Sequence, residues 1–243
     1  MKLKRSDIYI LEVKNYFNKF TISVYIFLLI QLALTNLISF RNAKGILDLN
    51  TIKIINYNLS ASIFSGIPTT ILVYLSREFS SGFSSKLIGL GLTRRKYFWD
   101  KIKFIFLYSI LLTILYSFSI LLIYVKFKSW LSWFDLGLYI FTFFLIVSCL
   151  NLIATFVSFI FSDWRIGITC YLGYSFLEST IVFAFKDNAT FLNLLPMNVL
   201  VSTFQFESGN STIGINISQF IVIIIFMLTL GFLGFTKFKL KDI

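Results

Sequence analysis

The stretch from residue 77 to residue 103 reads REFSSGFSSKLIGLGLTRRKYFWDKIK and lies between two long apolar runs of the chain. It combines seven Lys and Arg residues with apolar residues at helical spacing. A basic, amphipathic segment between two runs that are long enough to cross a bilayer indicates a structured loop at a membrane surface. This stretch therefore predicts the fold class, which is an all-α, polytopic membrane protein.

The composition of the whole chain also predicts membrane insertion. Of its 243 residues, 57% are hydrophobic and 14% are charged, which is too apolar for a soluble domain. A membrane-spanning helix needs about 20 mostly apolar residues, and the apolar runs are continuous, without the alternation of a β-barrel. Six runs meet this criterion and predict six transmembrane helices within a single domain, 1–243: 20–40, 57–75, 102–125, 136–161, 166–185 and 218–235.

The distribution of Lys and Arg predicts the orientation, because basic residues are enriched in cytoplasmic loops. With both termini inside, sixteen of the 22 Lys and Arg residues lie on the cytoplasmic side. We therefore expect both termini to be cytoplasmic, and the Asn-, Lys-, Ile- and Phe-rich composition favours a bacterial cell membrane. The net charge of +11 is then explained by topology and by attraction to membrane lipid. We expect no nucleic-acid partner.

Residues 1–19 predict an amphipathic helix, since Ile10, Val13 and Phe17 share one face at spacings of three and four. Two interpretations stay open: a helix that lies in the cytoplasmic interface, or a continuous extension of the first span. The first span has no small-residue cleavage site and carries Gln31 and Asn36. We therefore expect it to be retained and not removed as a signal peptide.

An apolar stripe follows helical spacing within the basic segment. It consists of Phe79, Phe83, Leu87 and Leu90. Successive members are four, four and three residues apart, which places them on one helix face. Such a helix could insert an aromatic edge into a groove of a cytoplasmic partner. A second interpretation stays open, in which the loop is only a topology signal and its stripe rests on the bilayer.

The sequence lacks the residues of common catalytic and metal sites. It has no His, and Cys149 and Cys170 both fall inside predicted spans. This excludes Ser-His-Asp and Cys-His chemistry within the chain and argues against a zinc site. A GxxxxGK[ST] loop is also missing, since no Lys follows Gly89-Leu90-Gly91 at the required place. We therefore expect no enzymatic activity and no bound cofactor, and any energy for transport must come from another subunit.

Three short motifs follow one another in the basic loop: Glu78-Phe79-Ser80-Ser81-Gly82, Lys86-Leu87-Ile88-Gly89 and Leu92-Thr93-Arg94-Arg95, with Lys101 after them. This order resembles the cytoplasmic loop of ABC exporter permeases of the type-2 family. In that family an acidic-aromatic-x-x-Gly start leads through a short helix to an Arg-containing turn and a Lys that opens the third span. The architecture is also similar, with six spans, this loop between spans two and three, and a longer outer loop before the last span.

The resemblance implies a role for segment 77–101 in coupling to an ATPase. Residues 78–90 would form the coupling helix that docks on the nucleotide-binding subunit, and the later basic residues would brace the turn back into the membrane. Two permease copies, or one copy and a paralogue, would pair above two separate ATPase subunits that bind ATP and Mg. The implied coupling residues are Glu78, Phe79, Gly82, Phe83, Lys86, Leu87, Leu90, Arg94, Arg95 and Lys101.

One carboxylate, Glu178, interrupts the fifth run in the sequence YSFLESTIVF. An uncompensated charge inside a span costs about 2.5–3.5 kcal/mol on insertion scales. The residue is therefore either a polar point in the translocation pathway or at a protomer interface, or a carboxylate near the outer headgroups that is hydrogen-bonded to another helix. Polar residues of other spans are candidate partners, namely Gln31, Asn36 and Asn151.

In the predicted outer loop 186–217, Pro196 predicts the first turn of a short helix.

The sequence thus predicts the transmembrane subunit of an ATP-driven exporter. Aromatic residues make up 19% of the chain, which favours an amphipathic peptide, antibiotic or lipid-like cargo, and the absence of a large outer domain resembles the small permeases of peptide, antibiotic or toxin export and immunity. The alternative is a carrier that does not use ATP, or a membrane assembly factor. A proton-coupled carrier would need several ionisable residues within its spans, and Glu178 is the clear candidate.

Overall fold

The computed structural model describes residues 62–89, 91–126, 128–129, 133–161, 163–186, 188–205 and 217–240, together with residues 46–47 and five positions between 23 and 34. The described part is all-α apart from one short strand pair, in which β1 (Ile46–Leu47) runs parallel to β2 (Lys128–Ser129). The predicted interface helix 1–19, Asn36 and Leu90 lie outside the described residues.

Eight helices follow in the described part, and a wider π-helical turn, Ser62–Gly66, leads into the first of them. Their bounds are α1 (Ile67–Ser80), α2 (Phe83–Gly89), α3 (Arg94–Lys126), α4 (Trp133–Ile160), α5 (Trp164–Ala184), α6 (Ala189–Leu192), α7 (Pro196–Gln205) and α8 (Ile217–Leu240). The short helix α7 begins at Pro196, as predicted, since proline is well suited to the first turn of a helix.

Among the described residues, four helices are long and apolar enough to cross a membrane. They are Arg94–Phe118, Leu136–Ile160, Trp164–Ala184 and Phe220–Leu240, and they correspond to the last four predicted spans. The chain therefore has the character of a multi-pass membrane protein. The predicted span 20–40 lies outside the described residues except for five helical positions: Ser23, Ile26, Ile30, Gln31 and Leu34. The predicted span 57–75 is described only from residue 62 onwards.

Helix α4 lies at the centre of the described helices and packs against α1, α3 and α8. At the α3–α4 contact, Tyr116 stacks on Phe143 with ring centroids 3.8 Å apart, and its hydroxyl is hydrogen-bonded to that of Tyr139. At the α4–α8 contact, a Cβ on Gly234 would meet the backbone oxygen of Phe156 at 3.3 Å. Glycine thus lets these two apolar helices approach closely, as small residues do in membrane bundles.

The C-terminal ends of α1, α4 and α8, the helix α2 and the start of α3 meet at one end of the bundle, joined by buried side chains. We call it the basic end, because basic side chains cluster there: Arg77, Lys86, Arg94, Arg95, Lys96, Lys237 and Lys239. The helices α6 and α7 lie at the other end of α5, which we call the opposite end.

Candidate functional site

The segment from α1 to α3 forms two sharp turns at the basic end. After α1, the backbone N–H of Ser81 donates to the Arg77 carbonyl at 2.9 Å, and Gly82 adopts φ of 67°. After α2, Gly91 adopts φ of 95°, and the left-handed backbone at both positions favours glycine. The structure thus differs from the predicted continuous helix 78–90: Glu78 lies in the last turn of α1, which ends at Ser80, and the separate short helix α2 begins at Phe83.

A fully buried ion pair connects the two sides of this segment. Glu78 on α1 and Lys101 on α3 are both 0% exposed, and the Lys101 ammonium lies 2.8 Å from Oε1 and 2.7 Å from Oε2 of Glu78. Both residues are on the predicted list of coupling residues, but the sequence did not predict that they contact each other. The pair joins the end of α1 to the start of α3 across the base of α2.

Two tyrosines complete this cluster, and the sequence analysis missed both. The Tyr97 hydroxyl donates to Glu78 Oε2 at 2.7 Å, and the Lys101 ammonium donates to the Tyr74 hydroxyl at 3.0 Å. The ammonium also lies 5.2 Å and 5.3 Å from the two tyrosine ring centroids, within cation–π range. We call these four residues the charge cluster. The sequence does contain a pattern that indicates them. Tyr74 precedes Glu78 by four residues and Tyr97 precedes Lys101 by four, so each tyrosine shares a helix face with one charged residue.

The charge cluster fixes how α1 and α3 pack against each other. A buried ion pair gains little over apolar packing, but removing one partner costs about 3–5 kcal/mol because the other charge stays buried. The pair can therefore hold one specific arrangement of α1 against α3. Any movement that separates the two helices must break it.

An aromatic cluster holds α2 against the rest of the basic end. Leu87 of α2 is buried with Tyr97 and Phe98 of α3, Phe159 of α4 and Phe238 of α8. The Phe98 ring centroid lies 4.7 Å from that of Phe159, and the Phe238 centroid lies 4.9 Å from it. One short helix is thus packed against the ends of three candidate spans.

The described members of the predicted apolar stripe point into the protein and not outwards. Phe79 and Phe83 are half-buried and pack on the aromatic cluster, and Leu87 lies inside it. The stripe faces its own bundle because the ends of α4 and α8 supply the aromatic partners, which the loop sequence alone could not reveal. The described surface of α2 that remains exposed carries Lys86 and Gly89.

The two arginines at the start of α3 have different surroundings. The Arg94 guanidinium donates to the Lys239 carbonyl at 2.6 Å, and so binds the C-terminal end of α8. This contact places a cation where the helix dipole favours one. The role of Arg94 in bracing the turn stays a prediction. Arg95 is exposed and lines a groove between α3 and α8.

Glu178 lies at the opposite end and is 3% exposed. Its Oε1 accepts the backbone N–H of Asn198 at 2.7 Å, and the Tyr174 hydroxyl and the Met197 backbone N–H lie near the same carboxylate. Asn198 belongs to the first turn of α7, so Glu178 accepts a hydrogen bond from the N-terminus of that helix. This geometry agrees with a carboxylate that is hydrogen-bonded to another helix. Its role in a translocation pathway or protomer interface stays a prediction.

Of the other polar residues predicted for the pathway, Asn151 is bonded to a different helix from Glu178. Asn151 on α4 is fully buried and donates from Nδ2 to Ser109 Oγ on α3 at 2.8 Å. Gln31 is half-buried on a helical position, and Asn36 lies outside the described residues. The Asn151–Ser109 contact ties α3 to α4, as polar pairs do between membrane helices.

Among the described residues, no three His, Cys, Asp or Glu side chains are grouped closely enough to hold a metal ion. Comparisons with family models, curated proteins and solved structures found no match to this chain.

Proposed function

We propose that the chain is the transmembrane subunit of an ATP-driven exporter of the type-2 ABC kind, and that it contacts a separate ATPase through α2. The observation that carries this proposal is the charge cluster, which locks α1 to α3 on the two sides of α2. A loop that served only as a topology signal would not need a fully buried ion pair at its base.

The packing of α2 supports a role in transmitting movement. The helix is joined to α1 and α3 by short turns, and its buried side chain Leu87 belongs to the same apolar cluster as residues of α3, α4 and α8. Because packed interiors are close to rigid, a force on α2 would move these helix ends together. ATP binding would close the two ATPase subunits, and α2 would carry that movement into the spans.

The surface that meets the ATPase is the exposed side of α2 and the turn after it. Since Leu87 is buried and Phe83 is half-buried, the contact is made by Lys86, Gly89 and the exposed Thr93. This revises the expectation of an aromatic anchor in a partner groove. A cationic contact surface predicts an acidic counterpart on the ATPase.

The proposal includes the remaining parts of an exporter. The chain has no phosphate-binding loop, so ATP and Mg would bind to the ATPase. A second copy of the chain or a paralogue would complete the translocation pathway, with an amphipathic peptide, antibiotic or lipid-like molecule as cargo.

Co-expression with an ABC ATPase of the same organism, each candidate tried in turn, tests this proposal. We expect the wild-type chain to co-purify with the ATPase and Lys86→Glu to reduce its recovery, since the substitution reverses a charge at the contact. Arg165→Glu, at the exposed start of α5, is the matched control and should leave recovery unchanged. ATP-independent transport by a chain that binds no ATPase would instead support the alternative of a carrier.

A further inference from the structure

We propose that a groove between α3, α4 and α8 at the basic end binds an anionic phospholipid from the adjacent bilayer leaflet. The groove has a volume of about 810 Å³. Its walls are apolar and aromatic, with Trp99, Phe156 and Leu228 among them, and its charged lining residues are Arg94, Arg95 and Lys239. This combination matches a molecule with a negative headgroup and an apolar tail.

The groove is about as deep as one leaflet. It extends along α8 from Lys239 back to Met227, twelve residues away, which at the helical rise corresponds to about 18 Å. The hydrocarbon core of a bilayer is about 30 Å thick, so half of it is about 15 Å. All three cations lie at the helix ends that form the mouth, and the deeper wall is apolar. An acyl chain can therefore lie along the wall while its phosphate stays at the mouth.

The charges at the mouth suit a phosphate. No Asp or Glu is among the described residues that line the groove. The C-terminal end of α8 would by itself repel an anion, but the Arg94 guanidinium bound to the Lys239 carbonyl offsets that negative end. Arg95 and Lys239 are exposed beside it, and a guanidinium can donate two parallel hydrogen bonds to phosphate oxygens.

Among the described residues nothing closes the side of the groove, so a lipid can enter it from the bilayer. Trp99 is 51% exposed at the mouth, and Leu228 is 69% exposed at the deep end. Tryptophan is typical of the headgroup level of a membrane. This inference does not depend on the proposed function, because lipid binding can be measured on the chain alone, without an ATPase.

Quenching of Trp99 fluorescence by lipids with brominated tails tests the proposal. The chain has four tryptophans, so the substitutions Trp130→Phe, Trp133→Phe and Trp164→Phe leave Trp99 as the sole reporter. The purified full chain is placed in phosphatidylcholine vesicles that contain either brominated phosphatidylglycerol or brominated phosphatidylcholine at equal mole fraction. We expect phosphatidylglycerol to quench more, with a relative affinity about fivefold or more above that of phosphatidylcholine.

Two variants distinguish specific binding of the lipid in the groove from general attraction of anionic lipid to a charged surface. Arg95 is exposed and makes no hydrogen bond or ion pair with the described residues, so Arg95→Gln should fold and lower the preference about fivefold. Lys237→Gln removes an equally exposed cation of α8 that does not line the groove, and should keep the wild-type preference.

Three outcomes would overturn the proposal. Equal quenching by the two lipids in the wild type would exclude selection of the headgroup. An equal loss of preference in Arg95→Gln and Lys237→Gln would mean diffuse electrostatic attraction. Failure of both lipids to quench Trp99 would mean that a second copy of the chain, or another segment, covers the groove.

Discussion

Glu78 and Lys101 are both fully buried at the base of a surface segment, where an exposed ion pair would be the ordinary arrangement. Exposed pairs contribute little to stability, whereas a buried pair penalises every arrangement in which its charges separate. The resemblance to exporter loops pointed to both residues, but it placed Glu78 in the helix that docks on the ATPase and Lys101 in the brace of the turn back into the membrane. Their mutual contact could not be predicted, because 23 residues and two glycine turns separate them.

The charge cluster predicts strongly non-additive effects of substitution. Glu78→Gln or Lys101→Met should each destabilise the purified chain by about 3–5 kcal/mol, because each leaves one buried charge without its partner. The double variant should be more stable than either single variant, since no unpaired charge remains. Thermal unfolding in detergent measures this, with Lys103→Met as the control at a 61% exposed position. Simple additivity of the two single effects would show that the charges do not stabilise each other.

Substitution of Glu178 should destabilise only the local packing at the opposite end. Glu178→Leu removes the acceptor of the Asn198 N–H and should weaken the docking of α7 by about 0.5–2 kcal/mol, the usual cost of a lost helix cap. Labelling of Leu200→Cys, at a position that is 1% exposed, should then become faster in a chain that carries Cys149→Ala and Cys170→Ala. Glu178→Gln keeps an oxygen acceptor and should label like the parent.

A transport assay separates the two interpretations of Glu178. A stable Glu178→Gln variant with altered transport would assign the charge to the pathway or to a protomer interface. Unchanged transport, together with faster labelling in Glu178→Leu, would leave only the capping role.

At the scale of elements, hydropathy predicted the apolar centres of the helices better than their ends. The predicted span 102–125 becomes α3, which begins eight residues earlier at Arg94. These eight residues are amphipathic, with Tyr97, Phe98 and Lys101 facing the bundle. Their mean hydropathy is therefore too low to mark them as part of a spanning helix. The predicted span 218–235 likewise continues to Leu240, because Phe238 packs on Phe159 while Lys237 and Lys239 stay exposed.

Substitution by alanine should have opposite effects on stability at two glycines, Gly82 in the turn between α1 and α2 and Gly89 within α2. Gly82→Ala should destabilise the chain by about 1–2 kcal/mol, because φ of 67° is unfavourable for a residue with a Cβ. No atom lies within 4 Å of that Cβ position, so the cost is conformational and not steric. Gly89→Ala, in α2 and also without a close neighbour, should be neutral or stabilising. Thermal unfolding of the two variants measures the difference, and equal effects would contradict the role of the left-handed turn.

At the scale of the whole molecule, the two ends are built differently. The basic end is tied together by the charge cluster, the aromatic cluster and the Arg94 contact, which join α1, α2, α3, α4 and α8. At the opposite end, α7 is held by the capping contact of Glu178 and by apolar packing. A force applied at the basic end would therefore move a closely packed group of helix ends together. The sequence showed where the charges are, but not this difference, because it arises from packing between distant segments.

The orientation of the bundle is the last prediction, and the structure indicates where to test it. The excess of Lys and Arg predicts that the basic end is cytoplasmic. In the chain with Cys149→Ala and Cys170→Ala, Lys86→Cys should react with a membrane-impermeant maleimide only after the cells are opened. Asn188→Cys, at the opposite end, should react in intact cells. Lys86 and Asn188 are both exposed, whereas Ser84 in the same loop is 0% exposed and would be unreactive on either side. Labelling of Lys86→Cys in intact cells would place α2 outside the cell, where no ATPase could reach it, and would overturn the orientation and the proposed coupling together.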